Sequence, residues 1–432
     1  MCMTELYEIY RQYPVVCTDS RSCQPGSLFF ALKGDSFDGN RFAKKALQAG
    51  CAYAVVDDPA VKIDNRYIVV EDVLQTLQQL AGYHRQTLQT PVIGITGTNG
   101  KTTTKELLAA VLSARYNLLY TLGNLNNHIG VPLTLLRLKP EHEIAVIEMG
   151  ANHPGEIWAL AQLARPDYGI ITNVGYAHLE GFGSFEGVIR TKGELYDYLR
   201  ETNGKIFIHK ENTYLQSIAH GLEHISYGES QDVFVSGRVV GSHPFLCFEW
   251  EIVDRVYSVS TNLVGDYNLW NALAAIAVGL YFDVPVSDMN RALSEYVPTN
   301  NRSQWKKTAH NELIIDAYNA NPSSMQAALA NFASLAVSPK AVILGDMLEL
   351  GAESQKLHVD IVNKLHRVDF EKVFLCGEQF TTAAVIAKSA SYHCFPTRES
   401  LSHYLSTNPL RGYHILIKGS HGMHLENMID LL

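Results

Sequence analysis

The chain is short of charge, of paired cysteines and of long apolar runs, and each shortage excludes something. Only 18% of its 432 residues are charged, and the net charge is −9 with no long basic run. Nucleic acid as the main partner would need a basic face to meet the phosphate backbone, so that class is set aside. An anionic small molecule stays compatible, because a local cationic pocket can sit on an acidic protein. No apolar stretch reaches the ~18 residues of a membrane span. The opening residues Cys2-Met3-Thr4-Glu5 form neither a basic nor an apolar signal region, so a cytoplasmic protein is expected. The seven cysteines (Cys2, Cys17, Cys23, Cys51, Cys247, Cys376, Cys394) are odd in number and make no C-x-x-C pair. Free thiols are the expected reading. The guanine-reading Asn-Lys-x-Asp of GTPases is also missing, as are internal repeats and low-complexity segments.

What is present is a phosphate loop. Residues 96–105 read Thr-Gly-Thr-Asn-Gly-Lys-Thr-Thr-Thr-Lys, after the apolar run Val92-Ile93-Gly94-Ile95. A helical pattern follows, with Leu107, Leu108, Val111 and Leu112 on one face. Strand, glycine loop, Gly-Lys-Thr and helix is the layout that cradles a polyphosphate. Gly97, Thr98, Asn99 and Gly100 supply backbone N–H groups, Lys101 reaches the β/γ-phosphates, and the hydroxyls of Thr102 and Thr103 lie at the helix N-terminus, with Thr102 suited to Mg²⁺. The loop is the shorter G-x-x-G-K-T form, because the longer pattern needs glycine at position 95, which is Ile95. A nucleoside triphosphate is the expected ligand.

The length suggests about three domains. Residues 1–86 read as a small α/β unit, with strands at 28–32, 53–56 and 67–70, a helical stretch at 42–48 and a polar helix from about 74 to 87. Residues 87–298 read as a mostly parallel sheet of P-loop ATPase type. Its strands at 144–150 and 168–173 end in polar residues, and antiparallel hairpins are appended between 233 and 263. Residues 299–432 repeat one theme at 313–316, 341–346, 373–377 and 415–419, an apolar strand ending in Gly, Asp or Lys-Gly. That is a second, Rossmann-like doubly wound domain. Ligands of such sheets sit at the carboxyl ends of strands. Glu148 stands at such an end as a Mg²⁺ candidate, with capping of the next helix as the alternative. His178 and Lys192 follow the next strand.

The runs Thr96 to Thr103, Glu148-Met149-Gly150, Asn173 to His178, Lys192-Gly193-Glu194 and Gly265 to Ala272 together resemble the Mur ligase family of peptidoglycan synthesis, over nearly the whole chain. Asp316 to Met325, Leu344 to Gly351 and Lys418-Gly419-Ser420 resemble the member that adds D-alanyl-D-alanine to UDP-N-acetylmuramoyl-tripeptide. The resemblance implies an ATP-dependent ligase with two Mg²⁺ ions, working as a monomer on small molecules. It implies that the first domain holds the uridine diphosphate through Ser20, Arg21 and Asp38. Asn268 and Asn271 would reach adenine, with Arg302, Asp316 and Tyr318 at the nucleotide. Asn126 and Asn127 would face the muramoyl-peptide, and Asn319, Asn321 and Asp346 would hold D-alanyl-D-alanine. Thr102, Glu148, His178 and a carbamate on Lys192 would hold the metals. An ordinary lysine paired with Glu194 or phosphate remains the alternative for Lys192. Two positions depart from the family pattern: Asn40 and His421 stand where His and Arg are usual.

Overall fold

The computed structural model describes residues 2–34, 36–253 and 255–432. Its strands form three principal sheets in chain order, plus one small hairpin. The first unit begins with α1 (Met3–Gln12), β1 (Val16–Cys17) and β2 (Leu28–Phe30). The hairpin β3 (Lys33–Gly34) and β4 (Phe37–Asp38) comes next, then α2 (Ala43–Gln48), β5 (Tyr53–Val56), β6 (Tyr67–Val69) and α3 (Val73–Gln86). Strands β1-β2-β5-β6 pair in parallel in that order. Helix α3 is amphipathic. Val73, Leu77, Leu80 and Ala81 are buried, while Gln75, Gln78, Gln79 and Tyr83 lie on another face.

The central unit runs β7 (Val92–Thr96), α4 (Lys101–Leu112), β8 (Leu118–Tyr120), α5 (Gly130–Leu135), β9 (Ile144–Glu148) and α6 (Glu156–Ala164). It continues through β10 (Tyr168–Ile171), α7 (Leu179–Phe182), α8 (Phe185–Thr202), β11 (Lys205–His209), α9 (Thr213–Ile218), β12 (Glu223–Gly228), β13 (Val235–Ser242), β14 (Phe245–Ile252) and β15 (Arg255–Val264). Helices α10 (Asn268–Tyr281) and α11 (Val286–Glu295) close it. The nine strands lie in the order β15-β14-β13-β12-β11-β10-β7-β9-β8. Strands β7 and β9 are buried along their whole length, the signature of a parallel sheet covered on both faces. The 233–263 segment is antiparallel, as expected, but β13 also pairs in parallel with β12. The hairpins therefore extend the main sheet. Helix α3 packs on α5 and α6, and Leu77, Leu80, Leu135 and Leu160 share one core. This docking turns the glutamine face of α3 towards the ends of β7 and β9.

The last unit contains β16 (Gln304–Lys307), β17 (Glu312–Asp316), α12 (Pro322–Ser334), β18 (Lys340–Gly345), α13 (Ser354–Leu365) and β19 (Lys372–Cys376). It ends with α14 (Glu378–Ile386), β20 (His393–Phe395), α15 (Arg398–Thr407) and β21 (His414–Lys418). The order is β16-β17-β21-β18-β19-β20, parallel except for the β16 edge.

Candidate active site

The turn from β7 into α4 depends on two glycines. Gly97 has φ +142°, and a Cβ there would lie 2.0 Å from Thr172 Oγ1. Gly100 has φ +79°, and its Cβ would lie 2.6 Å from Asn271 Oδ1. No L side chain fits either place without movement. Position 95 needs no glycine because Ile95 is still inside β7 and fully buried. The end of β10 braces the loop. Thr98 N–H donates to Asn173 O at 2.9 Å, Asn99 N–H to Asn173 Oδ1 at 3.0 Å, and Thr172 Oγ1 to Asn99 O at 2.6 Å. The first N–H groups of α4 have no intrahelical acceptor, so they and the helix dipole make an anion site. Lys101 Nζ curls back onto Gly97 O at 2.6 Å and Thr98 O at 3.0 Å. Burial brings its pKa down to about 8, with Glu148 opposing and Arg302 adding to the fall.

Glu148 is fully buried at the end of β9. Its Oε1 accepts from Thr102 Oγ1 at 3.1 Å and Asn126 Nδ2 at 2.7 Å. Its Oε2 has no hydrogen bond and lies 3.8 Å from Lys105 Nζ. An orphaned carboxylate oxygen beside a hydroxyl fits a hard cation that takes oxygen ligands. Sequence reasoning gave no role to Lys105, a fully buried lysine one helical turn after Lys101. That spacing was its only signal. Lys192 is also buried, in α8, with its Nζ 3.4 Å from Ala151 O and 5.1 Å from the Phe182 ring centre. Burial, then the nearby Lys101, holds its amine well below the usual lysine range. Glu194 is not its partner. That carboxylate caps α6, accepting from Gly155 N–H at 2.7 Å and Trp158 N–H at 2.9 Å. An amine whose burial disfavours the ammonium, with no carboxylate in ion-pair range among the described residues, fits the chemistry of carbamate formation. His178 takes left-handed φ +50° and bonds Glu349 of the last unit.

The last unit closes the opposite wall. Arg302 Cζ stands 3.9 Å from the Tyr318 ring centre, and His421 stacks on the same ring at 5.2 Å. The His421 departure therefore supports Tyr318. Lys418, at the end of β21, is buried and bonds Asp316 Oδ2 at 2.6 Å and Asn319 O at 3.1 Å. Asn268 and Asn271 line the cavity, yet their amides are engaged. Asn268 Nδ2 donates to Val264 O at 2.9 Å, Asn271 Nδ2 to Asn268 Oδ1 at 2.8 Å, and Thr104 Oγ1 to Asn271 Oδ1 at 3.0 Å. Asn127 Oδ1 caps α5 through Gly130 N–H at 2.9 Å.

Together these walls enclose a cavity of about 1260 Å³. It is lined by Lys101, Glu148, His178, Arg302 and Tyr318, and from the first unit by Gln78 and Tyr83. The α3 contribution was missed from the sequence, although glutamines at 75, 78 and 79 share one helix face.

Several expected residues lie elsewhere. Ser20, Arg21 and Asp38 do not line this cavity. Arg21 is exposed and pairs with Asp19 at 2.7 Å. Asn40 is buried and fastens its loop to Asp57, donating to Oδ1 at 2.7 Å and accepting from the Asp57 N–H at 3.1 Å. It is a strut, which explains how a non-imidazole residue is accommodated. Asp346 was expected to hold D-alanyl-D-alanine. Its carboxylate accepts from Gln379 N–H at 3.0 Å and Phe380 N–H at 2.9 Å, so both oxygens cap α14. Asp346→Ala should cost about 1–2 kcal/mol of stability, read from the denaturant midpoint. Asn321 was expected at the same dipeptide. It caps α12 through Ser324 N–H at 2.9 Å, and its Nδ2 donates to Asn99 Oδ1 of the phosphate loop at 2.8 Å.

Comparison with known proteins settles the family. The Mur ligase middle domain matches residues 95–279, the Mur ligase glutamate ligase domain residues 301–421, and the Mur ligase family catalytic domain residues 12–85. The chain belongs to the Mur ligase family. This Mur ligase is 38% identical to the UDP-N-acetylmuramoyl-tripeptide--D-alanyl-D-alanine ligase of Bacillus subtilis, over 96% of this chain and 93% of that one. Its fold resembles a crystal structure of MurF from Acinetobacter baumannii, with TM-score 0.87 and 31% identity, covering 99% and 98% of the two chains. MurF ligase of Thermotoga maritima, solved in complex with ADP, superposes with TM-score 0.84 at 26% identity, covering 97% of each chain. No helix of this Mur ligase among the described residues is long and apolar enough to cross a membrane.

Proposed function

We propose that this Mur ligase joins D-alanyl-D-alanine to UDP-N-acetylmuramoyl-tripeptide while converting ATP to ADP and phosphate. One observation carries the reading: the phosphate loop, the buried Glu148 and the Arg302–Tyr318 face wall one cavity together with α3. A phosphotransferase or nucleotide switch would need no second doubly wound unit against its γ-phosphate. The likeness to the Bacillus subtilis ligase, over nearly all of both chains, supports the substrate pair. We place the domain boundaries near residues 86 and 298, and the activity in the cytoplasm with a monomer as the working unit.

The terminal carboxylate of the tripeptide attacks the γ-phosphorus, ADP leaves, and an acyl phosphate forms. The amine of D-alanyl-D-alanine attacks the acyl carbon, loses a proton, and the tetrahedral intermediate expels phosphate. The loop amides from Gly97 to Thr103 and the Lys101 ammonium hold the β/γ-phosphates where charge develops. Arg302 brings a second cation from the opposite wall, held flat by Tyr318. Asp316 is held by Lys418 beside them. Asn268 and Asn271 buttress the loop beneath adenine. Asn126 and Asn127 shape the muramoyl-peptide side, Asn319 lies on the dipeptide side, and Ser20, Arg21 and Asp38 serve the uridine diphosphate on the first domain. Two Mg²⁺ ions, one held by Thr102 and Glu148 and the other by His178 and a Lys192 carbamate, would neutralise phosphate charge. Catalysis is otherwise positioning.

The test is phosphate release with the UDP-tripeptide and a panel of amines. Turnover should require D-alanyl-D-alanine. Equal rates with glutamate or diaminopimelate would move the chain to another acid–amine ligase. Asn321 gives a finer check. Since it bonds the phosphate loop, Asn321→Ala should raise KM for ATP at least as much as KM for the dipeptide. An effect confined to the dipeptide would return Asn321 to the amine site.

A further inference from the structure

Three of the seven cysteines, Cys17 and Cys23 from one stretch and Cys51 from further along, meet in the first domain. Cys17 ends β1, Cys23 follows the next loop, and Cys51 precedes β5. Cys17 Sγ is 3.1 Å from Cys23 Sγ and 3.9 Å from Cys51 Sγ, and all three sulfurs lie within 4.8 Å of one another. Cys51 is 3% exposed, and the other two are half-buried. The fully buried Ser27 adds an oxygen, its Oγ 3.2 Å from Cys51 Sγ and 3.6 Å from Cys17 Sγ. Cys2, Cys247, Cys376 and Cys394 take no part.

We propose that Cys17, Cys23 and Cys51 form a binding site for one thiophilic divalent cation, of the Zn²⁺ class, with Ser27 Oγ or water as fourth ligand. Zn–S bonds of about 2.3 Å in a tetrahedron set sulfurs about 3.8 Å apart. The Cys17–Cys51 spacing already matches. The Cys17–Cys23 pair must open by about 0.7 Å to meet that spacing, and Cys23 lies in the connection between β1 and β2 rather than in a strand or helix. Three soft sulfurs around one point exclude Mg²⁺ and Ca²⁺, which take oxygen. Binding exchanges three thiol protons for one divalent ion, leaving a site of net charge −1. The ion would tie β1, the 18–22 loop and the start of β5 into one unit.

The experiment uses the reduced full-length chain. Titration with Cd²⁺, followed by thiolate-to-metal charge-transfer absorption, should saturate at one ion per chain, and Zn²⁺ should displace the signal. Cys51→Ala should weaken binding at least tenfold, whereas Cys247→Ser should bind as the parent does. A second readout needs no variant: Zn²⁺ should protect Cys17, Cys23 and Cys51 from alkylation and leave Cys394 unprotected. Absorption unchanged by Cys51→Ala in a folded protein, or no protection by Zn²⁺, overturns the proposal. So does a chain that takes up no metal and whose Cys17 and Cys23 join as a disulfide under peroxide; the cluster would then be a redox pair.

Discussion

Lys101→Ala should lower turnover by at least ~10³-fold, the loss expected when about 4 kcal/mol of transition-state charge stabilisation is removed. Its ammonium rests on Gly97 O and Thr98 O, so the side chain lies within the curl of the loop, ready to swing to a γ-phosphate. The loop itself is held by Thr172 and Asn173 rather than by Lys101 alone. Truncation should therefore leave the fold intact and remove the charge. The checks are kcat with all three substrates and the thermal midpoint of the variant. Near-normal turnover in a folded variant would sink the phosphate-loop assignment.

Lys192 carries the second large effect. An ammonium beside a metal site repels the ion, while a carbamate gives it a carboxylate-like head on a long stem. Formation joins the neutral amine to CO₂ with loss of one proton. The site favours that amine, since Glu194 is committed to the α6 cap and burial disfavours the ammonium. Activity should fall when CO₂ and bicarbonate are stripped and recover when they return. Lys192→Ala should lose about 10²-fold or more, with partial rescue by a small added carboxylate. Full activity of that variant, or indifference to CO₂, would leave Lys192 as a buried structural amine.

The strands that carry chemistry were legible because each holds an apolar run that stops abruptly at or next to Gly, Asp, Glu or Asn. Strands β7, β9, β10, β17, β18, β19 and β21 are of this kind. Strands β16, with Gln304-Trp305-Lys306-Lys307, and β20, with His393-Cys394-Phe395, lie at sheet edges and mix polar with apolar residues, so no pattern marked them. Strand β12 lies inside its sheet, but it opens with two exposed polar residues, Glu223 and His224, which broke the apolar pattern. Residue types at strand ends located Lys101, Glu148 and His178 in the cavity but could not tell direction. Asp346 stands at a strand end like Asp316, yet its carboxylate turns into the α14 N-terminus. The first domain's wall was hidden because it depends on how α3 docks on α5 and α6, a long-range packing choice that local spacing does not encode.

The central claim is that this one cavity activates a carboxylate by phosphorylation and then delivers it to an amine. The most direct measurement places a heavy oxygen isotope in the terminal carboxylate of the UDP-tripeptide and follows it by mass during turnover with ATP and D-alanyl-D-alanine. One labelled oxygen should appear in the released phosphate for each amide bond formed. The other should remain in the product. Phosphate released without label, or label kept wholly in the tripeptide, would mean that ATP is cleaved by water and that no acyl phosphate forms.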